Sequence, residues 1–387
     1  MIWKVSNHLC LFILFVCPVF IFNGCHSGKN QNKTSGDKGT YLFSEEIRYA
    51  QGFDIDYYKE YTKVTINNPW SDNEKPYKVY YLLKTDSFEI PVEGVKILSP
   101  ITSIAVNTFS YFEFLSLIGE LETVKGVTDG FRIYNPEILD KLENNQIIDL
   151  GDPFNPNIEK TISLNPQAVI NSAYAQMDNY SVRLIQVGFP VIYSLEWMEK
   201  SPLARAEWIK MIAAFYDKNS LADSIFNEIE QRYLAIQDIA NGIDKQRTVM
   251  TGDIFQGTWY VPGGKSFNAA LYRDAGLSYR YEDNNQSGSI GLDIESVLTQ
   301  FGNTDLWFGC EADSYAELTA KDSKYLLLQP VEQNQVFNNH NRTTDSGGND
   351  FFESAIAHPD LFLSDLVKAA YPDLLPDYTF TYIKPLK

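Results

Sequence analysis

The sequence is poor in histidine, cysteine and basic residues. Its 387 residues include four His and four Cys, and 32 Lys and Arg stand against 50 Asp and Glu. The net charge of −18 argues against nucleic acid or an anionic membrane surface as a partner, because both bind clustered basic side chains. Beyond residue 26 the histidines are His340 and His358. Two histidines disfavour a carrier of bare zinc or manganese, since such a site uses several His and carboxylate ligands.

Common catalytic motifs are also missing. There is no G-x-S-x-G nucleophile elbow, and Trp259 stands where a phosphate-binding Walker A loop ending at Gly264 would need its first glycine. Cys310 is the single cysteine beyond residue 25, and we expect it to be a buried apolar residue at a strand end rather than a nucleophile. The sequence therefore predicts a protein that is not an enzyme, with no cofactor and no metal site.

The amino terminus resembles a bacterial lipoprotein signal. Lys4 supplies a positive charge, residues 9–22 form an apolar run that is short for a membrane span, and Gly24 precedes Cys25. We predict a signal peptide over residues 1–24, lipidation of Cys25, and a flexible polar tether over residues 25–40. An uncleaved anchor is the alternative. Cleavage leaves no pair of free cysteines, so the mature chain would have no internal disulfide.

The chain is long enough for two domains with separate cores. Residues 41–97 have a strand-like pattern and predict an antiparallel β-rich extension on the first lobe. The βα alternation that follows predicts two Rossmann-like α/β lobes, at residues 98–200 and 243–387, with helices over 201–242 between them. The helix predicted from Leu221 to Ala240 would be about 30 Å long, enough to join the lobes. The expected fold class is therefore α/β, with two lobes joined by a single long backbone helix.

Residues 150–170 and 291–308 repeat one arrangement of a short helix followed by a buried strand. Asn157 is the predicted N-cap of the first helix, Asp293-Ile294-Glu295 opens the second, and each helix has a glutamate in its first turn. The repetition supports two similar lobes.

Further motifs occur in order between about Lys96 and Leu374: LGDPFNPNIEKTISLNPQAVI, VGFPVIYSLEW, WYVPGGKSFNAALYRDAGL, GLDIESVL and HPDL. Together they resemble the ABC-transporter substrate-binding proteins for cobalamin, haem and ferric siderophores. The resemblance implies the class III binding-protein fold, in which a metal chelate is clamped between the lobes with little hinge motion. The implied protein partners are an ABC permease and its ATPase in the inner membrane. The expected protein is a monomer in the periplasm, held by its lipid to a membrane whose identity stays open.

Carried over residue by residue, the resemblance places one permease-docking glutamate on each lobe, at Glu159 and Glu295. A carboxylate on an exposed helix can bind an arginine of the permease bidentately. The alternative is that both glutamates only stabilise their own helices through the helix dipole.

The resemblance and the ends of the predicted strands also indicate the ligand site, at Phe109, Phe131, Arg132, Tyr134, Phe154, Tyr174, Trp197, Trp259, Tyr260, Glu311 and Arg342. Aromatic faces suit stacking on a corrin, porphyrin or catecholate, and Arg132 or Arg342 is available for an anionic chelate. His340 or Tyr260 can ligate haem iron. The alternative is that half of these aromatic residues belong to the hydrophobic core and do not contact a ligand. A lipid-anchored enzyme and a ligand-free structural lipoprotein on the same fold are the rival functions.

Overall fold

The computed structural model describes most of the chain: residues 39–71, 75–91 and 93–387. Lys38–Lys387 form one compact unit. The predicted signal peptide over residues 1–24, the lipidation site Cys25 and the predicted tether up to residue 38 lie outside the described residues. No helix in the described ranges is long and apolar enough to cross a membrane.

A five-stranded sheet opens the described chain. Its strands are β1 (Tyr41–Ser44), β2 (Phe53–Tyr58), β3 (Thr62–Ile66), β4 (Lys78–Leu83) and β5 (Val95–Leu98), paired in that order. Strands β1 to β4 are antiparallel, but β5 runs parallel to β4, which differs from the all-antiparallel extension that the sequence predicts. The difference arises because two parallel neighbours, here β4 and β5, are joined by a crossover connection instead of a tight turn. We call this element the N-terminal sheet.

Two buried glutamates fix the N-terminal sheet to the rest of the protein. The Glu207 carboxylate accepts the backbone N–H groups of residues 48–50 at 2.8–2.9 Å. The Glu199 carboxylate accepts the backbone N–H of Gly52 at 2.9 Å and the indole N–H of Trp208 at 3.0 Å. One face of the sheet also belongs to the hydrophobic core of the first lobe. The sheet is therefore a packed part of the molecule.

The first lobe is a parallel sheet with helices. Its strands are β6 (Ile104–Val106), β7 (Val124–Val127), β8 (Ile148–Asp149), β9 (Ala168–Ser172) and β10 (Val191–Ser194), and its helices are α1 (Tyr111–Leu117), α2 (Pro136–Glu143), α3 (Ile158–Leu164) and α4 (Asn179–Gln186). The strand order is β10-β9-β6-β7-β8, and every pairing is parallel. The order reverses beside β6, and ligands of such sheets bind at the carboxyl ends of the strands near that point.

Three helices link the lobes: α5 (Pro202–Ala206), α6 (Trp208–Ala214) and α7 (Asn219–Asn241). Helix α7 is 23 residues long and contributes to both hydrophobic cores. Ala222 and Phe226 pack in the core of the first lobe, whereas Tyr233 and Ala240 pack in the core of the second. The predicted long backbone helix is therefore confirmed.

The second lobe contains a mixed sheet, a small antiparallel sheet and six α-helices in its described chain. The strands are β11 (Arg247–Thr251), β12 (Ile254–Phe255), β13 (Thr258–Pro262), β14 (Leu277–Tyr279), β15 (Ser289–Leu292), β16 (Leu306–Phe308), β17 (Val336–Asn338) and β18 (Lys384–Pro385). The helices are α8 (Phe267–Asp274), α9 (Ile294–Phe301), α10 (Tyr315–Lys321), α11 (Gln329–Glu332), α12 (Asp350–Ser354) and α13 (Pro359–Ala370). The sheet orders are β14-β11-β16-β17-β18, in which β18 is antiparallel to β17, and β12-β13-β15. This arrangement confirms the predicted α/β fold class.

The N-cap predicted at Asn157 is confirmed, and Asp293 caps the second of the repeated helices. The Asn157 side chain accepts the backbone N–H of Lys160 at 2.9 Å, and the Asp293 side chain accepts that of Ser296 at 2.6 Å. Glu159 and Glu295 therefore both occupy the second helical position, and both are exposed.

Candidate ligand-binding cleft between the lobes

A cavity of about 520 Å³ lies between the two lobes. On the first-lobe side it is bounded by residues that follow the carboxyl ends of β6, β9 and β10, and on the second-lobe side by α8, α12 and α13. This is the place where an open parallel sheet binds its ligands. A volume of this size is typical of small-molecule sites.

Aromatic side chains from both lobes line the cavity. They are Phe109, Tyr174 and Trp197 from the first lobe and Phe267, Phe351, Phe352 and Phe362 from the second. The rings of Tyr174 and Trp197 lie 5.7 Å apart, and those of Phe351 and Phe362 lie 4.9 Å apart. Such walls bind a flat, largely apolar ligand by stacking and burial.

Arg205 supplies a cation at the wall of this cavity. Its guanidinium lies 4.0 Å from the centre of the Phe267 ring, and its buried Nε has no hydrogen-bond partner among the described residues. Burial lowers the pKa of Arg205, and the nearby Glu196 carboxylate acts in the opposite direction. Because a guanidinium stays protonated in proteins, a buried and incompletely hydrogen-bonded one favours an anionic partner.

The carboxylate of Glu196 also lines the cavity, but its hydrogen bonds are made within the protein. It accepts the phenol of Tyr111 at 2.8 Å and the hydroxyl of Ser194. Burial, and then the Glu196 charge, raise the pKa of Tyr111 well above its usual range, so the phenol stays protonated and donates. Arg205 is therefore the charged group of the cavity that is available to a ligand.

The structure brings three of the sequence-predicted ligand residues together in the cavity, Phe109, Tyr174 and Trp197. The others lie outside its lining: Phe131, Arg132, Tyr134, Phe154, Trp259, Tyr260, Glu311 and Arg342. In the first lobe, Phe131 is 62% exposed in a short 3-10 helix and Phe154 is 85% exposed in the loop before α3. Tyr260 is also exposed, on β13. Phe154 is predicted to face the ligand, but its side chain is exposed to solvent and lies outside the cavity lining.

Trp259 needs a different correction. Its side chain is fully buried, its ring packs 5.2 Å from that of Trp307, and its indole N–H donates to the carbonyl of Thr251 at 3.0 Å. A ring enclosed in this way is part of the core of the second lobe. For Trp259, the alternative interpretation as a core residue is therefore the correct one.

The two predicted anion-binding arginines already have carboxylate partners. Arg132 lies 3.4 Å from Asp129, and Arg342 lies 3.0 Å from Asp350 and stacks over Tyr134. Both arginine side chains are about half exposed. Neither is placed to meet a ligand in the cavity.

Glu311 and His340 form a separate polar cluster in the second lobe. The Nε2 atom of His340 lies 3.8 Å from Glu311, and its Nδ1 lies 3.2 Å from Asp313. These contacts lower the pKa of Glu311 and raise the pKa of His340. Because both ring nitrogens of His340 face carboxylates, the arrangement does not support the alternative in which His340 ligates haem iron. Across the described ranges, no group of three or more His, Cys, Asp and Glu is arranged to hold a metal ion.

Sequence reasoning missed Arg205 and, in the second lobe, Phe267, Phe352 and Phe362, whereas the loop from Asn338 to Phe351 was expected to line the cleft and contributes Phe351. Arg205 lies in the short helix α5, beside the apolar residues Leu203, Ala204 and Ala206. One signal was available, because this helix begins five residues after Trp197, close to the carboxyl end of β10. A basic residue within a short apolar helix so close to a strand end is a reasonable candidate for a site.

A second set of residues joins the lobes beside the cavity. The imidazole Nε2 of His358 lies 2.7 Å from the carboxylate of Glu113, and the carboxylate of Glu353 accepts the backbone N–H of Tyr134 at 2.8 Å. We call these four residues the interlobe contact. Glu113 in the first turn of α1 therefore binds the other lobe, and Ser110 at the start of α1 makes no side-chain cap.

Glu353 makes the interlobe contact dependent on pH. Burial raises the pKa of Glu353 to about 8, whereas an unfolded glutamate has a pKa of about 4.3. The folded state therefore binds the proton of Glu353 more tightly than the unfolded state does. The contribution of this proton to the free energy of unfolding is complete below about pH 4 and is lost as the pH rises to about 8. Glu353→Gln keeps an acceptor for Tyr134 and cannot ionise. Between pH 5 and pH 8 the free energy of unfolding of the unaltered protein should fall as Glu353 ionises. We expect this fall to be smaller by about 2–4 kcal/mol in Glu353→Gln, measured by urea unfolding at both pH values.

The matched control for this pH experiment is Glu332→Gln on α11, because Glu332 is exposed. It should unfold with the pH dependence of the unaltered protein. An unchanged pH dependence in Glu353→Gln would show that the carboxyl of Glu353 does not titrate as its burial requires.

Comparisons with known proteins agree with this geometry. A curated relative, an uncharacterized lipoprotein of Methanocaldococcus jannaschii, is 25% identical over 94% of this chain and 93% of its own length. The apo heme-binding protein RhuT of Roseiflexus sp. RS-1 superposes with a TM-score of 0.55 and 16% identity, over 71% of this chain and 99% of its own. A protein of an ABC-type Fe3+-hydroxamate transport system from Saccharomonospora viridis gives a TM-score of 0.52 and 16% identity, over 70% and 93%.

The fold, the cleft and the sequence lead to one family. The structural matches establish the fold alone, at these low identities. The sequence model of a family described as periplasmic binding protein matches residues 104–338, which run from β6 of the first lobe to the end of β17 in the second. With more than half of its length matched across both lobes and the cleft between them, the chain belongs to the periplasmic binding protein family.

Proposed function

We propose that this protein is the substrate-binding component of an ABC importer, which captures a metal chelate between its lobes and delivers it to a permease and ATPase in the inner membrane. The observation that carries the proposal is the interlobe cavity, with aromatic walls and the incompletely hydrogen-bonded cation of Arg205. Aromatic walls suit a porphyrin, a corrin or a catecholate, and the cation suits an anionic substituent of the chelate. Two structural relatives are named for heme binding and for Fe3+-hydroxamate transport, and both named compounds are metal chelates.

The location follows from the amino terminus. We propose that Cys25 carries a lipid after removal of residues 1–24, and that the folded unit works as a monomer in the periplasm. The name lipoprotein given to the Methanocaldococcus jannaschii relative supports the anchor. The proposed polar tether would let the folded unit reach the permease while anchored.

Permease docking is proposed for Glu159 and Glu295. Each is exposed at the second position of a short helix, and the two helices, α3 and α9, belong to different lobes. Their symmetry supports a surface that meets one permease subunit with each lobe. Glu295 also pairs with Lys324 at 2.9 Å, which lowers the pKa of Glu295 and keeps it negative.

An enzyme on this fold is the alternative, and Cys310 bears on it. The thiol is buried beside β16, and burial raises its pKa to about 12. The thiolate form that attacks a substrate is therefore scarce at neutral pH. This confirms the prediction of a buried apolar cysteine and weakens a cysteine-based catalytic role.

The decisive experiment is a titration of the chain lacking residues 1–25, which retains the compact unit Lys38–Lys387. Haemin, cyanocobalamin and ferrioxamine B are titrated separately and followed by calorimetry and absorbance. We expect one of the three to bind with a Kd below about 1 μM, or roughly −8 kcal/mol, and to be recovered unchanged. Binding weaker than about 1 mM for all three would contradict the proposal, and chemical turnover of the ligand would favour the enzyme.

A further inference from the structure

The N-terminal sheet reaches the mouth of the cavity through the segment between β3 and β4. Trp70 lies in this segment, and its ring centre is 6.3 Å from that of Trp197 and 5.7 Å from that of Tyr77. The phenol of Tyr77 donates to the backbone carbonyl of Tyr174 at 3.1 Å. Trp197 and Tyr174 line the cavity, so Trp70 and Tyr77 contact the cavity wall directly.

These contacts make a continuous series of rings, Tyr77, Trp70, Trp197 and Tyr174, which we call the aromatic row. Neighbouring ring centres in the row are 5.7, 6.3 and 5.7 Å apart. Trp70 is 36% exposed and Trp197 is 38% exposed, so the row leaves ring surface open to solvent next to the cavity. Large aromatic side chains in that setting are suited to bind a flat ligand.

A second depression shows that the N-terminal sheet borders more than one side of this region. Its volume is about 440 Å³, and it is lined by residues 67–69 of the sheet, residues 198–200 of the first lobe and Ser287 of the second. The segment that precedes Trp70 therefore stands close to both lobes. Asn67 of this segment donates its backbone N–H to the carbonyl of Gly52 at 2.8 Å, and the backbone N–H groups of residues 48–52 are in turn bound by Glu207 and Glu199.

The family match begins at Ile104 and leaves out the N-terminal sheet. We infer that this sheet is a part of the ligand site, in which Trp70 contacts the bound ligand and extends the aromatic wall formed by Trp197 and Tyr174. The ligand that this wall recognises has a planar conjugated ring system, part of which lies outside the cavity against Trp70. The inference rests on the proposed function, and it assigns a specificity role to a segment outside the family match.

Trp70→Ala tests the inference with haemin as the probe, because haemin is a planar conjugated chelate. We expect the Kd for haemin to rise by about 3- to 10-fold, in line with the energy of one aromatic stacking contact. Trp70→Phe keeps a ring and should stay within about 2-fold of the unaltered protein. Phe43→Ala is the matched control, because Phe43 is an exposed aromatic residue of the same sheet that stacks on Tyr57 and is absent from the cavity lining. It should leave the Kd unchanged.

The outcomes separate this inference from the proposed function. Equal haemin affinity in Trp70→Ala and the unaltered protein overturns the inference, as does an equal loss in Phe43→Ala. Binding of ferrioxamine B alone, which has no conjugated ring, overturns the inference and leaves the importer proposal standing. Failure of the unaltered protein to bind haemin, cyanocobalamin or ferrioxamine B overturns both.

Discussion

Arg205→Met is expected to weaken the binding of haemin, a chelate that carries carboxylates, by about 10- to 150-fold. This range corresponds to the roughly 1.5–3 kcal/mol that a hydrogen bond to a charged group contributes. The guanidinium is partly buried at the cavity wall, and its Nε has no hydrogen-bond partner in the described chain. A ligand carboxylate can therefore form a strong, charge-assisted pair without displacing a protein partner.

The stability of the same variant separates a binding role from a structural one. Methionine removes the contact of the cation with Phe267, and it also removes a charge that is costly to bury. These effects oppose each other, so we expect the free energy of unfolding to change by less than about 1 kcal/mol. A large loss of affinity at nearly constant stability would mark Arg205 as a binding residue.

Two further variants make the Arg205 experiment specific. Arg205→Lys keeps the positive charge but loses the planar guanidinium with its paired N–H donors. Its affinity for haemin should lie between that of the unaltered protein and that of Arg205→Met. Arg132→Met removes an exposed arginine that already pairs with Asp129, and it should bind haemin normally. Unchanged haemin affinity in Arg205→Met would rule out the assigned role, and the calorimetric titration would show this directly.

The lobes were predictable from sequence because their signals are local. Asn157 and Asp293 are good helix caps, and short apolar runs such as residues 168–170 are typical of strands covered on both faces. Neither signal depends on distant parts of the chain. The long helix α7 was also predictable, since its apolar residues recur at helical spacing on one face over many turns.

The site was less predictable because it forms only after the lobes meet. Phe109, Tyr174 and Trp197 could be named, since each follows a strand of one parallel sheet and such strand ends lie together. The second-lobe wall comes from helices, where an apolar residue reads equally well as core. Trp259 and Phe154 were both predicted to contact the ligand, and neither lines the cavity. Trp259 is fully buried in the core, whereas Phe154 is exposed on the surface.

Charge reversal at the two proposed docking glutamates should have the largest effect on transport. In Glu159→Arg with Glu295→Arg, we expect uptake of the chelate to fall to the level of cells that lack the protein. Arginines on the permease would then face arginines on both lobes, and like charges in close contact suppress association. Both glutamates lie on exposed helices outside the cavity lining, so the Kd for the chelate should stay within about 2-fold of the original.

The control must carry the same change in net charge at other exposed sites. Glu143→Arg with Glu332→Arg meets this requirement, because both residues are exposed at the ends of helices α2 and α11. Uptake by this control should equal that of the unaltered protein, since long-range charge is screened beyond about 10 Å at physiological salt. Normal uptake by the Glu159 and Glu295 variant would reject the docking assignment, and the glutamates would then be residues that stabilise their own helices. Reduced uptake by both double variants would instead indicate a general electrostatic attraction to the permease, without a defined contact on each lobe.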